Sequence, residues 1–199
     1  MKNPLDSLTG TVIAGTIIAT ATALAIDGGF NSLSLFRWLH IVSGVMWIGL
    51  LYYFNFVQIP ALAEAGTDKS GPGGAGVTKY VAPRALFWFR WSALVTWVTG
   101  FFYLMLSGNL GAFMLGMGGE TPNGYQMIIG LGAWFGTIML FNVWGLIWPN
   151  QKKVLGLVPA SDEEKAKARR IAFLASRTNA MLSIPMLLCM GSATHGLPF

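Results

Sequence analysis

The chain has 199 residues, 54% hydrophobic and only 11% charged, with a mean hydropathy of +0.56. Soluble domains carry roughly a quarter charged residues, so this composition argues against a soluble fold. The net charge of +5 does not point to nucleic acid either, because Lys and Arg sit at the ends and in the loops of apolar segments.

Five apolar segments follow one another, at 8–26, 36–59, 85–106, 124–148 and 171–194, each near the roughly 20 residues that cross hydrocarbon. Lys2, the apolar run from Leu8 to Ile26 and the triplet Ala23-Leu24-Ala25 resemble a secretory leader. The run is long enough for a span, and a retained helix is expected there. Pro60, Pro83, Pro122 and Pro149 fall at segment edges and are read as helix boundaries. The stretch around Ser70-Gly71-Pro72-Gly73-Gly74 reads as a flexible loop. Ser161-Asp162-Glu163-Glu164 reads as an N-cap with an acidic first turn ahead of the last segment. The expected fold is all-α: one integral membrane domain over residues 1–199, a polytopic bundle of five transmembrane helices.

Loop charge sets the expected orientation. The 60–84 loop holds Lys69, Lys79 and Arg84; the 149–170 loop holds Lys152, Lys153, Lys165, Lys167, Arg169 and Arg170. The 107–123 connection has no Lys or Arg and contains Glu120. The positive-inside rule makes the two basic loops cytoplasmic, with the N-terminus inside, in agreement with Lys2, and the C-terminus outside. Arg37 alone dissents.

Polar residues within the segments form two layers. The only two histidines, His40 and His195, fall at the outer ends of spans two and five. His40 and Gln58 are 18 positions apart, about five turns and hence one face, with Asn55 about 60° away. Arg177 and His195 share the same spacing, although Pro185 bends the line between them. Such stripes should face the bundle interior, since a lipid-facing charge or amide is costly. Asn55, Gln58, Arg90, Asn142 and Arg177, from four helices, form the inner layer, with Asn179 beyond Arg177 and Trp88, Trp91 and Trp144 at the same level.

Each layer has a plain reading and a functional one. The histidines can bond to backbone or water at the interface, or they can ligate a b-type haem between spans two and five through two imidazoles. A non-haem metal lacks the nearby Cys, Asp or Glu that would complete its shell. Arg90 and Arg177 can snorkel to headgroups, or, with the amides and aromatic faces, they can bind a flat polar anion. Trp38, Tyr125 and Trp148 read as interfacial belt residues, and the glycines of spans two to four as close-packing positions. Cys189, the single cysteine, excludes a disulfide framework, and there is no CxxCH for a covalently attached c-type haem.

At "WLHIVSGVMWIGLLYYFNFVQIP", "NVWGLIWPNQKKVLG" and "RTNAMLSIPMLLCMGSATH" the chain resembles the membrane domain of the bacterial cytochrome-c-linked urate oxidase (urate hydroxylase) family. The resemblance runs from span two to the C-terminus. It implies oxidation of urate to 5-hydroxyisourate, with water as oxygen source and cytochrome c as electron acceptor, in the bacterial inner membrane. Members of that family can continue into a c-type cytochrome domain; these 199 residues read as a short form without one. On this reading urate, or a similar planar purine, binds Arg90, Arg177, Asn55, Gln58 and Asn142. A haem b held by His40 and His195 then passes electrons to a periplasmic cytochrome c. No carboxylate lies within the spans to act as general base, and no catalytic side chain is assigned. The rival expectation is a non-catalytic or electron-relay subunit of a larger respiratory or other membrane complex. A transporter of planar anions is weaker, because no broken-helix repeat is visible.

Overall fold

The computed structural model describes residues 3–27, 29–119 and 121–198. Lys2 and Glu120, both used above to argue orientation, lie outside the described residues. Among the described residues there are five helices long and apolar enough to cross a membrane, and no strand. They are α1 (Leu8–Asp27), α2 (Ser32–Thr67), α3 (Val77–Leu106), α4 (Gly124–Val154) and α5 (Asp162–Ser192).

The chain divides into two compact units between Leu35 and Phe36, near the start of α2. In the first, Asn3 Oδ1 accepts from the Leu5 amide at 2.9 Å and caps a short 3-10 turn, Pro4–Asp6. The Ser7 hydroxyl accepts from Gly10 N at 3.1 Å as α1 begins. No part of the α1 apolar stretch Leu8–Ile26 is buried. A helix that is apolar on every side needs apolar surroundings.

In the second unit the remainder of α2 packs with α3, α4 and α5. Their shared core contains Trp47, Leu51 and Phe54 of α2, Phe89 and Ala93 of α3, Met139 and Val143 of α4, and Ala175 and Met186 of α5. The Phe54 and Phe89 rings meet edge to face, 5.4 Å apart. Small residues set how closely the helices approach. A Cβ on Gly132 of α4 would stand 3.1 Å from Cβ of Cys189 on α5. The start of α5 follows the sequence: Ser161 Oγ accepts from Glu164 N (3.2 Å), and the Glu164 carboxylate accepts from Ser161 N (2.8 Å). This reciprocal pair satisfies two amides that the helix itself leaves open.

Three of the prolines read as boundaries lie inside helices. Pro60 is within α2, Pro83 within α3 and Pro149 within α4. Each follows a stretch of π-type turns: Tyr53–Gln58, Val77–Val81 and Asn142–Ile147. There Ile59, Ala82 and Trp148 donate their amides five residues back, to Phe54, Val77 and Val143. A proline ring in a regular α-helix collides with the carbonyl four residues earlier. A widened turn just ahead of the ring moves that carbonyl aside, so the helix continues instead of ending. The cost of the irregular turn is local, and two of these turns carry buried polar residues: Asn55 and Gln58 in α2, Asn142 in α4.

The 107–123 connection is more than a link. Its 3-10 turn Leu110–Met114 packs on α4, where Trp134 Nε1 donates to Phe113 O at 3.2 Å. A Cβ on Gly130 would fall on the Ala112 carbonyl of this turn. Gly124, by contrast, has open space around it. Gly130→Ala should therefore cost about 1–3 kcal/mol by overpacking, lowering the melting temperature in detergent by about 2–10 °C. Gly124→Ala should leave it unchanged, and equal melting curves for the two variants would contradict this packing.

Candidate functional site

The second unit holds a cavity of about 740 Å³ at the His40 end of its bundle, bordered by α2, α3, α4, the C-terminal end of α5 and the 107–123 connection. This volume is within the roughly 300–1,000 Å³ of small-molecule and cofactor sites. Its walls are mostly apolar and aromatic, including Trp47, Ile48, Trp97, Phe101 and Phe113. Glycines keep it open: Gly49, Gly136 and Gly191 all border it, and a Cβ at any of them would meet nothing within 4 Å.

Both histidines border this one cavity. His40 is half-buried on α2, and its Nδ1 lies 2.7 Å from the Thr96 carbonyl of α3. A carbonyl oxygen can only accept, so Nδ1 carries the proton and Nε2 keeps its lone pair. That is the arrangement by which a histidine ligand is oriented from behind. The ring can reach this carbonyl, which also accepts from Thr99 Oγ1 at 3.1 Å, because Gly100 has no side chain: a Cβ there would come within 2.7 Å of His40 Nδ1. His195 reaches the cavity differently. Helix α5 ends at Ser192, and His195 lies on the following turn, its amide donating to Ser192 O at 3.2 Å, its side chain exposed. The helical spacing from Arg177 therefore does not set its direction; the turn does.

The residues of the inner layer are distributed less evenly than a helical wheel suggests. Asn55 is 1% exposed. Its Nδ2 donates to Leu51 O (2.8 Å) and to Ser176 Oγ on α5 (2.9 Å), which leaves Oδ1 buried without a donor. Gln58 Oε1 is also buried without a partner. Asn142 Nδ2 donates to Asn179 Oδ1 at 2.8 Å, and Asn179 Nδ2 to Met139 O at 2.9 Å, a link that ties α5 to α4. Arg90 is half-buried, with its guanidinium 3.9 Å from the centre of the Trp148 ring, so Trp148 acts as a platform for that charge. Trp144 Nε1 donates to Arg90 O at 3.2 Å. Arg177 is exposed and lies against Phe173, while its neighbour Ser176 faces inward. The inward stripe expected through Arg177 thus passes through Ser176, Asn179 and Ser183, all buried. None of Asn55, Gln58, Arg90, Asn142 and Arg177 borders the cavity that holds the two histidines.

Several contributors escape a reading by residue type. Thr96 acts through its main chain, and Ser176 and Asn179 act as partners of the amides. Ser183 donates to Ala180 O (2.7 Å), so Tyr52, 3.0 Å away, donates to Ser183 and links α2 to α5. The signal available in the sequence was the spacing of Ser176, Asn179 and Ser183 along one helical face. For a cofactor, the two imidazoles at the cavity offer ligands. Among the described residues no cluster of three or more His, Cys, Asp or Glu side chains is present for a non-haem metal.

Two outcomes follow. Nitrogen-15 NMR of histidine-labelled, ligand-free protein should show one imidazole protonated at Nδ1, and Gly100→Ala should abolish that signature by pushing the ring off Thr96. A His40 signal unaffected by the methyl group would contradict the geometry. Asn179→Leu should lose about 1–2 kcal/mol by stranding Asn142, seen as an earlier thermal transition. No loss would mean that the amide pair does not tie the helices.

The chain has no match among curated proteins or among solved structures. Residues 30–115 and 123–199, well over half of the chain, match the family described as urate oxidase, N-terminal. The match spans the bundle of the second unit, both histidines and the inner amides, and on that ground the chain belongs to the urate oxidase N-terminal family.

Proposed function

We propose that the chain is a membrane-embedded oxidoreductase that oxidises urate, or a similar planar purine. A haem b between His40 and His195 would pass the electrons to a periplasmic cytochrome c. The observation that carries this reading is that the only two histidines, 155 residues apart in sequence, border one cavity of about 740 Å³. Family membership supplies urate as the substrate class. The charge asymmetry of the loops supports a bacterial inner-membrane protein with the cavity on the periplasmic side and the amide layer on the cytoplasmic side.

The residues present fit such a group. The His40 ring has Nδ1 anchored on Thr96 and Nε2 available, His195 approaches from a separate element, and glycines leave room along the walls. Bound there, a haem b takes up and releases one electron at a time. His40 and His195 would hold its iron through their imidazoles, and the apolar walls would limit the access of water to it. At the inner layer, Asn55 Oδ1 and Gln58 Oε1 are acceptors without donors and suit the N–H edges of a purine. Arg90, whose guanidinium lies 3.9 Å from the centre of the Trp148 ring, offers its fork to an anionic oxygen. Asn142 shapes this layer through its bond to Asn179, and exposed Arg177 attracts an anion from the cytoplasmic side. The overall change forms a C5–O bond from water and releases two protons and two electrons as urate becomes 5-hydroxyisourate.

The rival reading, an electron-relay or non-catalytic subunit of a larger membrane complex, draws on α1, whose apolar stretch has no buried residue. Urate separates the two. Anaerobic addition of urate to the purified protein should reduce a haem band and yield 5-hydroxyisourate, and Arg90→Ala should slow the reduction at least tenfold. A haem band that stays oxidised, with no product and with fixed-ratio co-purification of a larger oxidase, would favour the subunit.

A further inference from the structure

Arg37 is the one basic residue whose place the charge pattern of the loops leaves unexplained, since it stands at the end of α2 assigned to the outside. The cavity gives it a purpose. Arg37 and His40 lie three residues apart and so share a face of α2, and both border the cavity, as does Trp47 seven residues further along, about 10 Å down the helix axis. The wall between them is apolar, formed by Ile41, Val45 and Ile48 with Phe101 opposite. Among the described residues Arg37 has no carboxylate within ion-pair distance and no hydrogen-bond acceptor. At the inner end Trp47 is 2% exposed, and its Nε1–H is buried without a partner. The cavity is thus cationic at its rim, apolar along its length, and closed inward by an aromatic ring with a spare donor.

We propose that Arg37 anchors the acid groups of the cavity's occupant. The site takes a flat, largely apolar ligand whose carboxylates lie at the rim beside Arg37 and whose ring system extends inward toward Trp47. A guanidinium pairs with a carboxylate through two parallel hydrogen bonds, which fixes direction as well as charge. An indole N–H facing the π surface of a flat ring makes a weak but favourable contact, better than none in an apolar pocket. This rests on the haem reading above and adds to it the orientation of the macrocycle, propionates outward.

The test titrates protoporphyrin IX and its dimethyl ester, neither carrying iron, into purified haem-free protein in detergent. Wild type, Arg37→Gln and Arg37→Lys are compared, and haemin is titrated in parallel. Wild type should bind the free acid more tightly than the ester. Arg37→Gln should weaken the free acid about tenfold, the range of one charge-assisted hydrogen bond, and leave the ester unchanged. Arg37→Lys should keep part of the preference. Equal affinity of acid and ester in wild type, or an equal loss of both in Arg37→Gln, overturns the anchor. Haemin held through both histidines with Arg37→Gln indistinguishable from wild type removes the anchor alone. If wild type takes up neither haemin nor porphyrin, the haem reading falls and the anchor with it.

Discussion

A polar group placed among alanine, leucine and phenylalanine side chains must be satisfied by another group of the protein, because no water competes for it there. That constraint organises the second unit. The His40 ring is turned to the Thr96 carbonyl, Asn55 to Ser176, Asn142 to Asn179, and Tyr52 to Ser183. Every one of these bonds crosses between two helices. They therefore act as ties that fix which helices neighbour one another, beyond what apolar packing alone specifies.

The unsatisfied groups acquire meaning against that background. Trp47 Nε1, Asn55 Oδ1 and Gln58 Oε1 are buried without partners, and all three belong to α2. Trp47 borders the cavity, and Asn55 and Gln58 lie two to three turns further along the same helix. Where nearly every buried polar atom is matched, unmatched ones on a common helix mark the places at which ligands would complete the structure. The π-type turns belong to the same picture. They let α2 and α4 pass through Pro60 and Pro149 while turning amide side chains inward, at the expense of regular geometry, which is where such turns are often found to serve function.

Much of the fold could be read from the sequence. Hydropathy and segment length gave five helices, Ser161 to Glu164 gave the cap of α5, and the cost of amides in hydrocarbon turned His40, Asn55, Gln58 and Asn142 inward. The failures have physical causes. Proline is a boundary only if the helix stays α-type, and a wider turn removes the collision. The line from Arg177 to His195 assumed an unbroken helix, yet α5 stops at Ser192 and the long Arg177 side chain lies outward on Phe173. The 107–123 connection has no periodic pattern, so its role in walling the cavity arose from tertiary contacts alone. Thr96 works through its carbonyl, which no side-chain pattern announces.

The central claim is that His40 and His195 serve one occupant of one cavity. Low-temperature EPR of the purified oxidised protein tests it most directly. The account predicts a low-spin ferric signal of two axial imidazoles that is lost in both His40→Ala and His195→Ala. A protein that carries no haem, or one whose signal survives both substitutions, would contradict it.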